Sequence, residues 1–350
     1  MIILRLSLLV LLLFSPTLFA TQLFENHLRV ASYNTFNGPN DVEDYADFLI
    51  IFRHIRAQEQ HGAADVLDIL TLSESDSGSL NRINELLDTE YPKSYASIVS
   101  SADGGGDRTA IIYNASRLTL LEETILSTAL THHIVRGRFH IDGFETQDFY
   151  VYSIHLKSGS SSSDRTERLL ELQLLLADAA TLPHSRILFA GDFNFISNTE
   201  PGWAELTNDN AFHDTADAVG DWRDNPLFKD VHSQNPRTNM DDRLDFHLAS
   251  SAFVDADGLE LITGTFRVIG NNGTHLLGEG IETGNGAPIE LLQALVQFSD
   301  HLPIVSDFNV VSSKEKPPQG ATFSLFFQGN AELLMISVLF VLLLARRMFN

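Results

Sequence analysis

The sequence contains no cysteine. This excludes disulfides, thiolate metal sites and cysteine nucleophiles together, so stability must come from an apolar core and any metal must be held by oxygen and nitrogen. Basic residues are also scarce: 23 Lys and Arg stand against 46 Asp and Glu, a formal net charge of −23. The acids are spread along the chain, so a broadly negative surface is expected, which disfavours tight nonspecific binding to nucleic acid unless a cation neutralises the site locally. No internal repeat is present, and nothing in the composition suggests disorder. What remains is 350 residues, 44% of them hydrophobic, enough for one large domain with short appendages.

Long apolar runs flank this domain. Arg5 precedes an apolar run from Leu6 to Phe14, followed by Ser15-Pro16 and Ala20, the order of a secretory signal peptide. At the other end, Leu333 to Ala345 is apolar and is followed by Arg346-Arg347. That run is shorter than the ~20 residues that span a bilayer comfortably. It reads as a marginal anchor with its C-terminus inside, or as a removable sorting tail. The expected organisation is a signal peptide over 1–20, one globular domain over 23–312, a linker over 313–332 and the apolar segment over 333–347. Export to the periplasm, the cell surface or the medium follows as the expectation, with a membrane tether through the tail. No protein partner is indicated.

Within the domain, short β-rich runs alternate with amphipathic stretches. Strands are expected at Arg29 to Tyr33, Leu67 to Leu72, Tyr95 to Ser100, Thr109 to Tyr113, Leu118 to Ile125, His133 to His140, Phe149 to His155, Ile187 to Ala190, Leu244 to Ala249 and Leu302 to Val310. Helices are expected at Val42 to Gln60, Leu80 to Leu87 and Arg165 to Leu182, the last capped by Asp164 with Glu167 three residues on. Many strands and few helices imply a layered sandwich. His132-His133 is expected within a strand, where only one of the two can face inward, and no metal role is assigned to it.

Six segments place polar residues at strand ends: Ser32-Tyr33-Asn34, Leu72-Ser73-Glu74-Ser75, the run from Ser153 through His155 to Gly159, Gly191-Asp192-Phe193-Asn194, Arg243-Leu244-Asp245-Phe246 and Ser299-Asp300-His301-Leu302-Pro303. Singly, each is an ordinary turn or strand end. Together they supply carboxylates and an amide for a hard cation and imidazoles for proton or phosphate handling. An oxygen-rich set without cysteine suits Mg²⁺ better than Zn²⁺, with Mn²⁺ or Ca²⁺ as substitutes.

In this order the segments resemble the endonuclease/exonuclease/phosphatase superfamily, which includes deoxyribonuclease I, AP endonucleases, bacterial sphingomyelinases and inositol polyphosphate 5-phosphatases. The likeness covers nearly all of the globular region. The resemblance implies an α/β fold of four layers, α-β-β-α, with two packed, mainly antiparallel sheets flanked by helices. It implies Glu74 as principal metal ligand, with Asn34 beside it and Asp300 as a further ligand. Asp245 would orient and charge-stabilise His301 in a dyad that acts as general base or holds the phosphate, Asp192 would position or deprotonate the attacking water, and Asn194 would hydrogen-bond the phosphate. His155 would contact the scissile phosphate and lean on an acidic partner, for which Asp107 is the candidate. Ser73 departs from the family pattern, which often has Gln before the metal-binding Glu. The implied reaction is in-line attack of water on the phosphorus of a phosphodiester, with nucleic acid as the first expected substrate. The alternatives are a sphingomyelinase-like phospholipid phosphodiesterase, a small-molecule phosphomonoesterase, and a noncatalytic scaffold that keeps the fold.

Overall fold

The computed structural model describes residues 27–310, apart from 61, 145–147, 184–185 and 256–257. The expected signal peptide, linker and apolar tail lie outside the described residues. Among the described residues no helix is long and apolar enough to cross a membrane.

In chain order the strands are β1 His27–Asn34, β2 Ile69–Ser75, β3 Tyr95–Val99, β4 Arg108–Asn114, β5 Leu118–Leu126, β6 Ile134–Ile141 and β7 Phe149–His155. They continue with β8 Ile187–Asp192, β9 Phe212–Asp214, β10 Asp245–Ser250, β11 Leu259–Leu261, β12 Arg267–Val268 and β13 Ile304–Val310. The α-helices are α1 Val42–Ala57, α2 Ser77–Glu90, α3 Ser162–Ala179, α4 Pro201–Thr207 and α5 Ile289–Phe298. One sheet runs β11-β13-β1-β2-β4-β3, with β12 beside β13, and the other runs β5-β6-β7-β8-β10-β9. Each sheet contains a parallel pair, β1–β2 in the first and β7–β8 in the second, and the other pairs among the described residues are antiparallel.

Successive residues of a strand point to opposite faces, and here both faces are apolar. Val30, Ile69, Ile111, Val151 and Leu188 enter the cluster between the sheets. Their neighbours Ala31, Leu70 and Ile112 face α1, α2 and α5, while Tyr150, Tyr152 and Phe189 face α3 and α4. The result is the four-layer α-β-β-α sandwich. The most apolar strand runs are therefore the central ones.

Local chemistry explains where several elements begin. Asp41 caps α1 by accepting the Glu43 and Asp44 N–H groups. Helix α3 starts earlier than expected: its N-cap is Ser161, with Asp164 at the third helical position completing the capping box. The sequence-based placement of the cap at Asp164 was three residues late because Asp164 serves as the acid of the box. His132 and His133 precede β6 instead of lying in it. Helix α5 carries Glu290, Gln293 and Gln297 on one exposed face and buries Leu291, Leu292, Leu295 and Phe298 on the other, a helical period that only ten residues display.

Candidate active site

Residues from the ends of strands in both sheets meet at one edge of the sandwich. In the first sheet, Asn34 ends β1 and Glu74 lies near the end of β2. The register between β2 and β4 slips between Leu72 and Ser75, and Glu74 sits in that bulge with φ of 46°. A bulge re-aims a side chain, and a left-handed non-glycine residue is held only when its surroundings over-determine it. Here the β1–α1 loop does so: Asn37 N–H donates to the Glu74 carbonyl at 2.6 Å, and the Thr35 hydroxyl donates to the Ser73 and Glu74 carbonyls at 3.1 Å each.

In the second sheet, His155 and Asp192 end the parallel neighbours β7 and β8 and are register partners. Gly191 lets those strands approach, because a Cβ there would collide with the Ile154 carbonyl oxygen and its φ of 138° suits glycine. The carboxylate of Asp192 is the meeting point. Its Oδ2 accepts from Asn34 Nδ2 at 3.1 Å and lies 3.8 Å from both His155 Nε2 and His301 Nε2. Its Oδ1 accepts the Asn194 N–H at 2.9 Å. Asn34 Nδ2 also donates to Glu74 Oε1 at 3.0 Å, so one amide joins the acid of one sheet to that of the other. His155 Nε2 stands 3.5 Å from Glu74 Oε1.

His301 is held from behind. Its Nδ1 lies 2.8 Å from Asp245 Oδ2, which also accepts the Ser233 hydroxyl at 2.7 Å. Ser233 gave no signal in the sequence, since an isolated serine in a loop is commonplace. Arg243 is buried, forks onto Asp214 at 2.7 and 2.8 Å and lies over the Phe246 ring, which anchors the start of β10. Asp214 ends strand β9, which pairs with β10, so this contact braces the site.

The structure gives three of the expected residues further contacts. Asn34, expected as a ligand, uses its nitrogen on the two carboxylates while its oxygen accepts the Phe36 N–H at 3.1 Å. Asn194 spends one amide hydrogen on the Leu156 carbonyl at 3.1 Å, leaving the other for a phosphate oxygen. Asp107 makes no hydrogen bond to His155 among the described residues. The β3–β4 loop closes on Asp103, whose Oδ1 accepts the Gly105 and Asp107 N–H groups, and Asp103 Oδ2 pairs with His132 Nδ1 at 2.6 Å. The His132 ring lies flat on His155, with centroids 3.8 Å apart and planes within 10°.

The electrostatics call for a cation. Burial raises the Glu74 carboxyl, with the charges of Asp300 and Asp107 adding to it against the Asn34 hydrogen bond and His301. Burial likewise raises Asp192, and Asp245 and Glu74 push the same way. Burial opposes charge on His301, but Asp245, Asp192 and Asp300 outweigh it and raise the imidazole to about 10. Burial, followed by the His132 and His301 charges, holds His155 well below its ordinary value. Asp245 Oδ1 and Asp300 Oδ1 are buried with no hydrogen-bond partner among the described residues. Crowded carboxylates with orphaned oxygens suit a hard divalent ion. Glu74 and Asp300 would hold it, with the Asn34 oxygen as a neutral third donor.

The sequence profile described as the Endonuclease/Exonuclease/phosphatase family matches residues 31–301. The chain belongs to that family, a group of divalent-metal-dependent phosphoric ester hydrolases. Comparison with curated proteins returned no match. Among solved structures, a humanized TDP2 from D. rerio is 19% identical, with TM-score 0.52, covering 81% of this chain and 99% of the other. The human Nocturnin catalytic domain with bound sulfate anion is 15% identical, with TM-score 0.53 and coverage of 81% and 95%. A mannosyl-6-phosphatase from Bacteroides thetaiotaomicron VPI-5482 is 17% identical, with TM-score 0.51 and coverage of 80% and 99%. Likeness at these identities establishes a shared fold.

Proposed function

We propose that this protein is an exported phosphodiesterase that uses Mg²⁺, with Mn²⁺ or Ca²⁺ as substitutes, and that nucleic acid is its first substrate. The observation that carries the reading is the convergence on Asp192 Oδ2 of Asn34 from one sheet, His155 from the other and His301 from the loop before β13. Such a set can seat one tetrahedral phosphate and one water. The Asp192 carboxylate orients the water and takes its proton as the oxygen attacks phosphorus and the bond to the leaving oxygen breaks on the opposite side. His301, kept protonated by Asp245, donates from Nε2 to a phosphoryl oxygen. His155, kept neutral by burial, and the free amide hydrogen of Asn194 contact the remaining oxygens. A cation bound at Glu74 and Asp300 would polarise the phosphoryl group and offset charge on the leaving oxygen.

A second reading is supported by the net charge of −23, which repels a long polyanion: the substrate would then be a small phosphomonoester or a phospholipid headgroup. The signal-like N-terminus supports export, and the apolar C-terminal run supports a membrane tether. Purified protein stripped with EDTA is expected to be silent on plasmid DNA, RNA, sphingomyelin and a sugar phosphate. Mg²⁺ or Mn²⁺ should restore activity most strongly on a nucleic acid. Preference for the lipid or the monoester would replace the substrate assignment, and hydrolysis indifferent to EDTA would overturn the mechanism. No hydrolysis under any condition would leave the scaffold reading.

A further inference from the structure

His301 and His155 flank the same carboxylate, yet they are secured differently. The Nδ1 of His301 rests on Asp245 Oδ2. The Nδ1 of His155 is buried and has no hydrogen-bond partner among the described residues. An imidazole usually has its orientation set by the bond its second nitrogen makes, so His155 must be aimed by another means.

The His132 ring supplies it. With centroids 3.8 Å apart and planes 10° from parallel, any rotation of His155 about its Cβ–Cγ bond drives a ring edge into His132. His132 is itself fixed by Asp103 Oδ2 at 2.6 Å, and Asp103 by the N–H groups of Gly105 at 2.8 Å and Asp107 at 3.0 Å. A buried carboxylate on α3 holds the two histidine segments in register. Glu171 accepts the Thr131 N–H at 2.6 Å, one residue before His132, and the Lys157 N–H at 2.8 Å, two residues after His155.

We infer that His132, backed by Asp103, is a positioning residue for His155: its flat ring, in place of a carboxylate on Nδ1, holds His155 Nε2 toward Glu74 and Asp192. This inference rests on the proposed phosphodiesterase site, and it deepens that reading by adding a second Asp–His pair that acts through His155.

The test uses the full-length protein, bis(p-nitrophenyl) phosphate with Mn²⁺, and the ¹⁵N-histidine spectrum of the metal-free protein. His132→Ala is expected to lower kcat roughly 10- to 100-fold, the scale of a small misplacement of a reacting group, with KM little changed. His132→Phe keeps a flat ring and should restore most of the rate, which a need for the imidazole itself would not allow. The His132→Ala/His155→Ala double variant should be no slower than His155→Ala alone, because the two act as a unit. The ring signals of His155, assigned by their loss in His155→Ala, should be sharp in the wild type and His132→Phe, and broadened or doubled in His132→Ala. Losses that multiply in the double variant, or His155 signals unaltered by His132→Ala, would overturn the inference. If the wild type hydrolyses no ester, the ring signals still decide the positioning role, and it is the proposed function that fails.

Discussion

At the scale of single residues, the site depends on carboxylates that are individually uncomfortable and collectively useful. Asp245 has one oxygen shared by His301 and Ser233 and the other without a hydrogen-bond partner among the described residues. Replacing it with Ala removes the charge that keeps His301 protonated and the acceptor that fixes its ring. We expect kcat to fall about 10²- to 10⁴-fold, the range for a positioned acid–base group. Asp245→Asn, which keeps an acceptor and loses the charge, should fall between Ala and the wild type. Steady-state kinetics on a soluble diester check both, and a loss below tenfold for Ala would contradict the role. Asp245 and His301 were legible in the sequence because each sits in a short motif at a strand end. Ser233, Asp103 and His132 were not. Their roles exist only once loops distant in sequence are brought together, and nothing in the spacing of 132 and 155 anticipates two stacked rings. Asp107 came from the family resemblance as the acidic partner of His155; among the described residues its loop closes on Asp103, which accepts the Asp107 N–H.

At the scale of elements, the loop after His155 is braced by α3 and the turn before α4. Arg168 forks onto Glu200 at 2.8 to 3.0 Å and donates to the Lys157 and Gly159 carbonyls at 2.9 and 2.7 Å. Both side chains of the pair are fully buried. Arg168→Ala would leave the Glu200 carboxylate buried without its partner and is expected to cost about 3–5 kcal/mol. Urea unfolding at pH 7 measures it, and a cost under about 1 kcal/mol would show that the brace is dispensable. Element placement was largely legible, because the strands are short β-branched and aromatic runs bounded by turn residues. The first turn of α3 was misread because two residues compete for the cap. Helices α4 and α5 were missed because both are short, seven and ten residues, so that even the regular polar face of α5 repeats over fewer than three turns.

At the scale of the whole molecule, a polar chain crosses the centre of the sandwich. His247 of β10 lies 2.8 Å from Ser32 Oγ on β1 and 2.9 Å from Ser306 Oγ on β13, and Ser32 continues to Thr71 Oγ1 at 2.6 Å. These bonds pin one sheet to the other beneath the catalytic edge, where a fully apolar interface would leave the sheets' relative slide less determined. Burial, with the Arg243 charge next, lowers His247 from 6.5 to about 3. Above pH 6.5 neither the folded nor the unfolded chain protonates this group, and it adds no pH dependence. As pH falls from 6.5 toward 3 only the unfolded chain takes the proton, so stability drops by up to about 1.4 kcal/mol per pH unit. His247→Asn cannot titrate. The stability gap between wild type and variant, measured by urea unfolding, should therefore be constant above pH 6.5 and narrow below it. A gap independent of pH would show that His247 takes up its proton as readily in the fold as in the unfolded chain.

The seating of one cation on the first sheet, facing the Asp192 carboxylate of the second, is tested most directly by crystals of the full chain soaked in Mn²⁺ and measured at the manganese absorption edge. An anomalous peak is expected within about 2.0–2.3 Å of a Glu74 carboxylate oxygen, with Asp300 and the Asn34 oxygen next nearest. A saturated crystal whose peak lies on Asp103, Asp107 and His132 instead, or that shows none near Glu74, would contradict it.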